Sequence, residues 1–150
     1  MTGGAWRWRG TIDVWLVVAA GGAIGGIARY GLLVLFPRTG TGFPWATFFE
    51  NVAGSFAIGV MIVLITEFIR PHRLLRPFLG VGVLGGFTTF STYAVDVVSL
   101  VDAGAPRTAL VYLFVTLAAA LPAAWAGMTL TRATAAYRRN RTARKVKEPR

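Results

Sequence analysis

Four apolar runs, each long enough to cross a bilayer, leave this chain few ways to fold. A spanning helix needs about 20 mostly apolar residues. The runs are Val14–Phe36, Trp45–Ile69, Leu75–Val101 and Ala109–Thr131. Backbone polar groups in hydrocarbon find no water and must be satisfied within the protein, so runs of this length predict helices. The expected class is an all-α membrane protein. Its organisation reads as a polar lead over 1–13, a four-helix membrane domain over 14–131 and a basic tail over 132–150. That leaves no space for a soluble domain. The first apolar run is too long for a cleaved leader and continues into a full span. Cysteine is absent, which removes disulfides, thiolate metal sites and cysteine nucleophiles.

The third run breaks the pattern of an ordinary span. GVGVLGGFTTFSTYAVD, Gly80 to Asp96, places Gly85 and Gly86 before Thr88, Thr89, Ser91 and Thr92, interleaved with Phe87, Phe90 and Tyr93. Paired glycines favour loss of helix, and hydroxyl side chains can satisfy the backbone groups that a break frees. Non-helical backbone at membrane depth survives only where protein buries it or where it lines a polar cavity. A break here implies a binding site or a pore. The alternative is an intact helix packed tightly through its glycines. A helix restarting after Gly85–Gly86 would present a positive dipole end in mid-membrane, and the half-helix before it would end in carbonyls that suit a cation such as sodium.

The other spans carry polar groups at helical spacing. In GGAIGGIARYG, Gly21 and Gly25 are four apart, as are Gly22 and Gly26, which allows a neighbouring helix to approach closely. Arg29 follows, about two turns from the end of its span. It either snorkels to the interface or anchors an anion path or polar vestibule. Thr47, Asn51 and Ser55 form one stripe on the second span, for interhelical packing or for a dehydrating ion. Glu50 is expected to point away from that stripe and to reach the interface. If the second half of the third span is helical, Phe90, Tyr93 and Asp96 share a face. Tyr112 and Thr116 share one on the fourth span, before Pro122, which is expected to kink the helix. His72, the only histidine, sits in a loop and reads as solvated.

Trp6, Arg7, Trp8 and Arg9 suit the headgroup layer. The tail holds Arg132, Arg138, Arg139, Arg141, Arg144, Lys145, Lys147 and Arg150. Next to a spanning helix such a tail is expected to meet anionic lipid rather than nucleic acid. No paired-carboxylate site, metal-ligand spacing, nucleophile elbow or phosphate loop emerges, so an enzyme is not expected. Hydroxyl and amide donors can replace part of an anion's hydration shell, and aromatic rings can face an anion with their positive edges.

GGAIGGIARYG, NVAGSF and GGFTTFST, in that order across four short spans, resemble the Fluc/CrcB family of fluoride channels over about Gly21 to Thr131. The resemblance implies an antiparallel dimer of four-helix subunits with the third helix broken near mid-membrane. It implies two fluoride pores along the subunit interface, and a structural sodium ion held by backbone carbonyls, here those of Gly85 and Thr88. Phe90 would be the first pore aromatic and Tyr93 the second. Asn51, Ser91, Thr92 and Thr47 would be pore polar groups, extended by Tyr112 and Thr116. Arg29 and Asp96 would belong to the vestibule. Two positions depart from the family's usual pattern: Tyr93 stands where phenylalanine is usual, and Asp96 where glutamate is usual. Tyrosine keeps the ring edge and adds a hydroxyl; aspartate has a shorter reach.

The expected function is passive export of cytoplasmic fluoride across a bacterial plasma membrane, giving fluoride resistance. A proton-coupled multidrug exporter would want a carboxylate in the middle of the first span, where this chain has Ile24 and Gly25. A non-conducting subunit of a heteromeric channel is the third reading. Orientation follows from charge. Arg7, Arg9, Arg70, Arg73, Arg76 and the tail fall on one side, against Arg38 and Arg107 on the other. Basic residues near span ends favour the cytoplasm, so both termini are expected there. The partner in an antiparallel pair is a second copy if the chain inserts both ways; one fixed orientation would make it a related subunit instead.

Overall fold

The computed structural model describes the backbone of residues 4–38, 40–68 and 72–147, and the side chains of residues 11–38, 40–68 and 72–138. The readings made for Trp6, Arg7, Trp8, Arg9 and Arg70, and for the tail from Arg139 to Arg150, rest on side chains outside the described residues. The described chain is all helical. Helix α1 runs Gly4–Leu35, α2 Trp45–Val63, α3 Gly85–Phe87, α4 Phe90–Asp102 and α5 Pro106–Lys147. Leu64–Phe68 extends α2 as a π-helical turn, and π-helical Pro77–Leu84 leads into α3. Four stretches are long and apolar enough to cross a membrane: Thr11–Leu35, Trp45–Phe68, Pro77–Asp102 and Pro106–Arg138. Helix α5 has 42 residues and passes through Pro122 without ending. At about 1.5 Å per residue it is roughly 63 Å long, twice the hydrocarbon thickness.

Glycine sets how the spans meet. A Cβ on Gly21 would lie 2.5 Å from the Phe78 carbonyl oxygen and 2.9 Å from the Val83 nitrogen. One on Gly25 would strike the Val83 carbonyl and lie 2.7 Å from the Phe87 nitrogen. From the other side, a Cβ on Gly86 would lie 2.5 Å from the Gly22 oxygen. Helix α1 therefore touches the third span backbone to backbone, as small-residue packing in lipid requires. Gly26 faces open space. Gly59 and Gly127 do the same work between α2 and α5, where added Cβ atoms would strike the carbonyls of Ala124 and Phe56.

The paired glycines of the third span stay helical; Gly85 has φ −67° and ψ −32°. The backbone turns extended two residues later, at Thr88 (φ −85°, ψ 153°) and Thr89 (φ −150°, ψ 126°). Close packing on α1 accounts for Gly86, and side-chain hydrogen bonds account for the extended threonines. Helix α4 ends at Gly104, whose φ of +78° lets the Ala105 N–H return to the Leu100 carbonyl at 2.8 Å. The core of the α4–α5 pair is Tyr93, Leu100, Ala109 and Tyr112, with Phe43, Phe48 and Val97 packed against it. Ion pairs fasten the opposite end: Arg73 to Asp13 at 2.6 Å, and Arg132 to Glu67 at 2.6 Å.

Candidate functional site

The site is built around the peptide group of Thr89. Its N–H donates to the Asn51 Oδ1 at 3.1 Å, and its carbonyl accepts from the Asn51 Nδ2 at 3.2 Å. One side-chain amide on α2 thus satisfies both backbone groups of the extended residue. The Thr89 hydroxyl caps α4 by accepting from the Thr92 N–H at 3.1 Å, and it sits 3.1 Å from the Ser91 hydroxyl. The Thr88 hydroxyl donates to the Leu84 carbonyl at 2.9 Å. These bonds remove donors from the helix end. The Thr89 N–H that would reach the Gly85 carbonyl goes to Asn51. The Thr92 N–H that would reach the Thr88 carbonyl goes to the Thr89 hydroxyl.

Beside this segment lies a cavity of about 260 Å³. Asn51, Thr88, Thr89, Phe90, Tyr93 and Thr116 line it with Ser55 and aliphatic groups. Phe90 is 78% exposed, whereas Tyr93 is 5% exposed. Their ring centroids are 5.9 Å apart. The Tyr93 hydroxyl donates to the Leu113 carbonyl on α5 at 2.6 Å, so it is bound to the scaffold. Thr116 is buried, and its hydroxyl has no partner among the described residues.

A second polar cluster gathers on Asp96. Arg38 reaches one carboxylate oxygen at 2.9 Å. The Thr47 hydroxyl donates to the other at 2.7 Å, and the Tyr112 hydroxyl stands 3.5 Å from it. The Tyr93 and Tyr112 rings, 5.2 Å apart, join this cluster to the cavity. Phe43 packs edge-on against Tyr112 at 5.3 Å, and Trp45, Phe48 and Phe49 continue the aromatic layer.

The structure brings Asn51, Phe90, Tyr93 and Thr116 to the cavity, and Thr47, Tyr112 and Asp96 to the second cluster. Ser91 and Thr92 join through Thr89 rather than by lining the cavity. Arg29 is half-buried on α1 and lies in neither group. Glu50 does not reach the interface: it is fully buried, because its position three residues after Thr47 turns it inward. Two residues were missed. Thr89 carried a signal, a threonine before a helix start. Arg38 carried none, since a loop arginine does not announce its partner. The nearest group to a catalytic device is a set of hydrogen-bond donors, and no cluster of three or more His, Cys, Asp or Glu occurs among the described residues.

A family model described as CrcB-like protein, Camphor Resistance (CrcB), matches residues 16–128. A Streptomyces avermitilis protein named Fluoride-specific ion channel FluC 2 is 61% identical over 110 residues, which are 73% of this chain and 70% of that protein. Fluoride-specific ion channel FluC 1 of Streptomyces coelicolor is 53% identical over 118 residues, 79% of this chain and 77% of its own. Fluoride-specific ion channel FluC 2 of Nocardia farcinica is 50% identical over 125 residues, 83% of this chain and 89% of its own.

Proposed function

The chain belongs to the CrcB-like family, and on that premise we propose that it is a fluoride-selective channel that exports cytoplasmic fluoride passively. The observation that carries the reading is the convergence of Asn51, the extended threonines, Phe90, Tyr93 and Thr116 on one cavity. Fluoride is small and strongly hydrated, so its passage needs donors that replace water. Hydroxyl and amide hydrogens supply them, and ring edges add partial positive charge without holding the ion tightly. Passive flow suffices for export, because an inside-negative potential moves an anion outward with about 2.3 kcal/mol per 100 mV.

The working assembly is an antiparallel dimer with the interrupted third span at mid-membrane and the exposed Phe90 at the subunit seam. Two surfaces support this: Phe90 is open at the cavity edge, and Gly26 leaves a shallow face on α1 where another helix can approach. The carbonyls of Gly85 and Thr88 would hold a structural sodium ion. The fit rests on their donors having been diverted to Asn51 and Thr89, which leaves hard oxygen ligands of the kind sodium takes. The ion would supply positive charge that fastens one subunit to the other.

The basic side, with Arg7, Arg9, Arg70, Arg73, Arg76 and the tail, faces the cytoplasm and its anionic lipid, so both termini lie there. A related subunit inserted the other way up then completes the pair. Efflux from liposomes tests the function. Fluoride should leave rapidly while chloride stays, with this chain alone or with the related subunit. Equal efflux of both anions from an assembled dimer would refute selectivity.

A further inference from the structure

Among the described residues, Glu50 is the one group in the membrane part that the proposed conduction path does not use and that the packing does not satisfy. It is fully buried, and both carboxylate oxygens lack a hydrogen-bond partner among the described residues. It lies on the α2 stripe Thr47–Glu50–Gly54. Thr47 meets Asp96 at one end, and Gly54 packs against Thr88 at the other. Glu50 therefore sits inside the protein, between the Asp96 cluster and the extended threonines. A buried carboxylate without a partner is not tolerated in its charged form. It either takes a proton or draws in a cation.

The charges around it leave one cation free to respond. The groups whose charge acts on Glu50 are Arg29 from α1 and Asp96 from α4. Asp96 has the same sign and is already held by Arg38 and Thr47. Tyr112 from α5 points its hydroxyl at Asp96. Helix α3 brings no titratable residue. Arg29 is half-buried and makes no hydrogen bond or ion pair with the described residues.

We propose that Glu50 is a proton-binding residue whose charge governs how readily an anion enters the neighbouring cavity. With Glu50 protonated, its position is neutral and does not oppose an anion. When Glu50 releases its proton, the carboxylate adds a negative charge between the Asp96 cluster and the extended threonines that repels fluoride, and the charge of Arg29 offsets it in part. The sign follows: flux is high at acid pH and falls as pH rises. Acid surroundings are also where neutral hydrogen fluoride enters a cell, so the device opens the path when fluoride load is greatest.

The inference rests on the channel reading, and two measurements separate them. Fluoride efflux is followed in liposomes at matched inner and outer pH from 6 to 9, with protein-free vesicles subtracted. Wild-type flux should fall by about tenfold across the range, the low end of what a focused charge does to local ion concentration. Glu50→Gln should hold the acid-side flux throughout and so exceed wild type at alkaline pH. Glu50→Asp should keep the pH dependence. Packing damage would lower flux, not raise it on the alkaline side alone. Infrared difference spectra between acid and alkaline pH give the second readout, which needs no conduction. A carboxylic-acid carbonyl band should titrate, vanish in Glu50→Gln and move its midpoint in Arg29→Gln. If Glu50→Gln keeps the wild-type pH profile or the wild-type band, the proposal is overturned. Absence of fluoride flux with the band titrating as expected would overturn the channel reading and retain the proton site.

Discussion

Replacing Asn51 by leucine removes both hydrogen bonds to the Thr89 peptide at nearly constant volume. In the native protein those bonds are 3.1 and 3.2 Å long and satisfy an N–H and a carbonyl that no helix serves. Each backbone group left unsatisfied in the interior costs about 1–3 kcal/mol, so the pair costs about 2–6 kcal/mol. Against a typical stability of about 5–15 kcal/mol that is a large fraction, concentrated at one segment. The outcome expected is local: Thr88 and Thr89 abandon their extended form, the cavity loses its shape and fluoride flux falls. Asn51→Asp should be milder in one respect, since a carboxylate still accepts from the Thr89 N–H. Hydrogen exchange read by mass spectrometry on the peptide containing Thr89, with thermal unfolding in detergent, measures both effects. Wild-type exchange protection and unfolding temperature in Asn51→Leu would show that the amide does not hold the segment, and the reasoning would fail.

Phe90→Ile should nearly abolish flux, because the exposed ring edge has no substitute. Tyr93→Phe should leave flux close to wild type and cost about 1 kcal/mol of stability through the lost bond to the Leu113 carbonyl; efflux and thermal unfolding of the purified protein check both. Gly25→Val should destabilise the subunit by at least about 1–3 kcal/mol, since its Cβ meets the backbone of Val83, Gly86 and Phe87; unfolding in detergent reads this directly. Gly26→Val meets open space in the subunit, so a loss seen only in dimer association, by fluorescence energy transfer in liposomes, would place that face at the seam. Reporter fusions at the C-terminus should report the cytoplasm alone; activity on both faces, with conduction by the single chain, would end the idea of a related partner.

The spans were legible because length and apolarity leave a chain in lipid one kind of structure; the first three stand within a few residues of their expected bounds, and the fourth runs on past Thr131 to Arg138. The glycines of α1 and the third span were legible as close contacts for the same reason. What the glycines do to the helix was not. Gly85 and Gly86 look like breakers in isolation, yet both stay helical, and Gly22 and Gly25 press against Gly86. The extended pair fell on Thr88 and Thr89, because Asn51, 38 residues away in sequence from Thr89, offers a better partner for the Thr89 peptide than the helix does. Pairings across such distances leave no periodic trace. Glu50 misled for a related reason. Its distance from the span's start suggested an escape to the interface, yet the aromatic layer of Phe43, Trp45, Phe48 and Phe49 closes that end.

Asn51 ties the two proposed ion sites to one decision of the backbone. Asn51 lines the cavity, and its amide takes the Thr89 N–H. In an unbroken helix that N–H belongs to the Gly85 carbonyl. The bond that shapes the anion cavity is therefore the bond that frees a carbonyl for a cation. The Thr89 hydroxyl repeats the arrangement one step on. By capping α4 through the Thr92 N–H, it starts the helix that carries Phe90 and Tyr93, and it leaves the Thr88 carbonyl free as well. A change at Asn51 or Thr89 cannot alter one site and spare the other. Thr89→Val removes the cap and keeps the shape, so fluoride flux and sodium retention should fall together. A variant that lost sodium and kept full flux would show that the two sites are built separately.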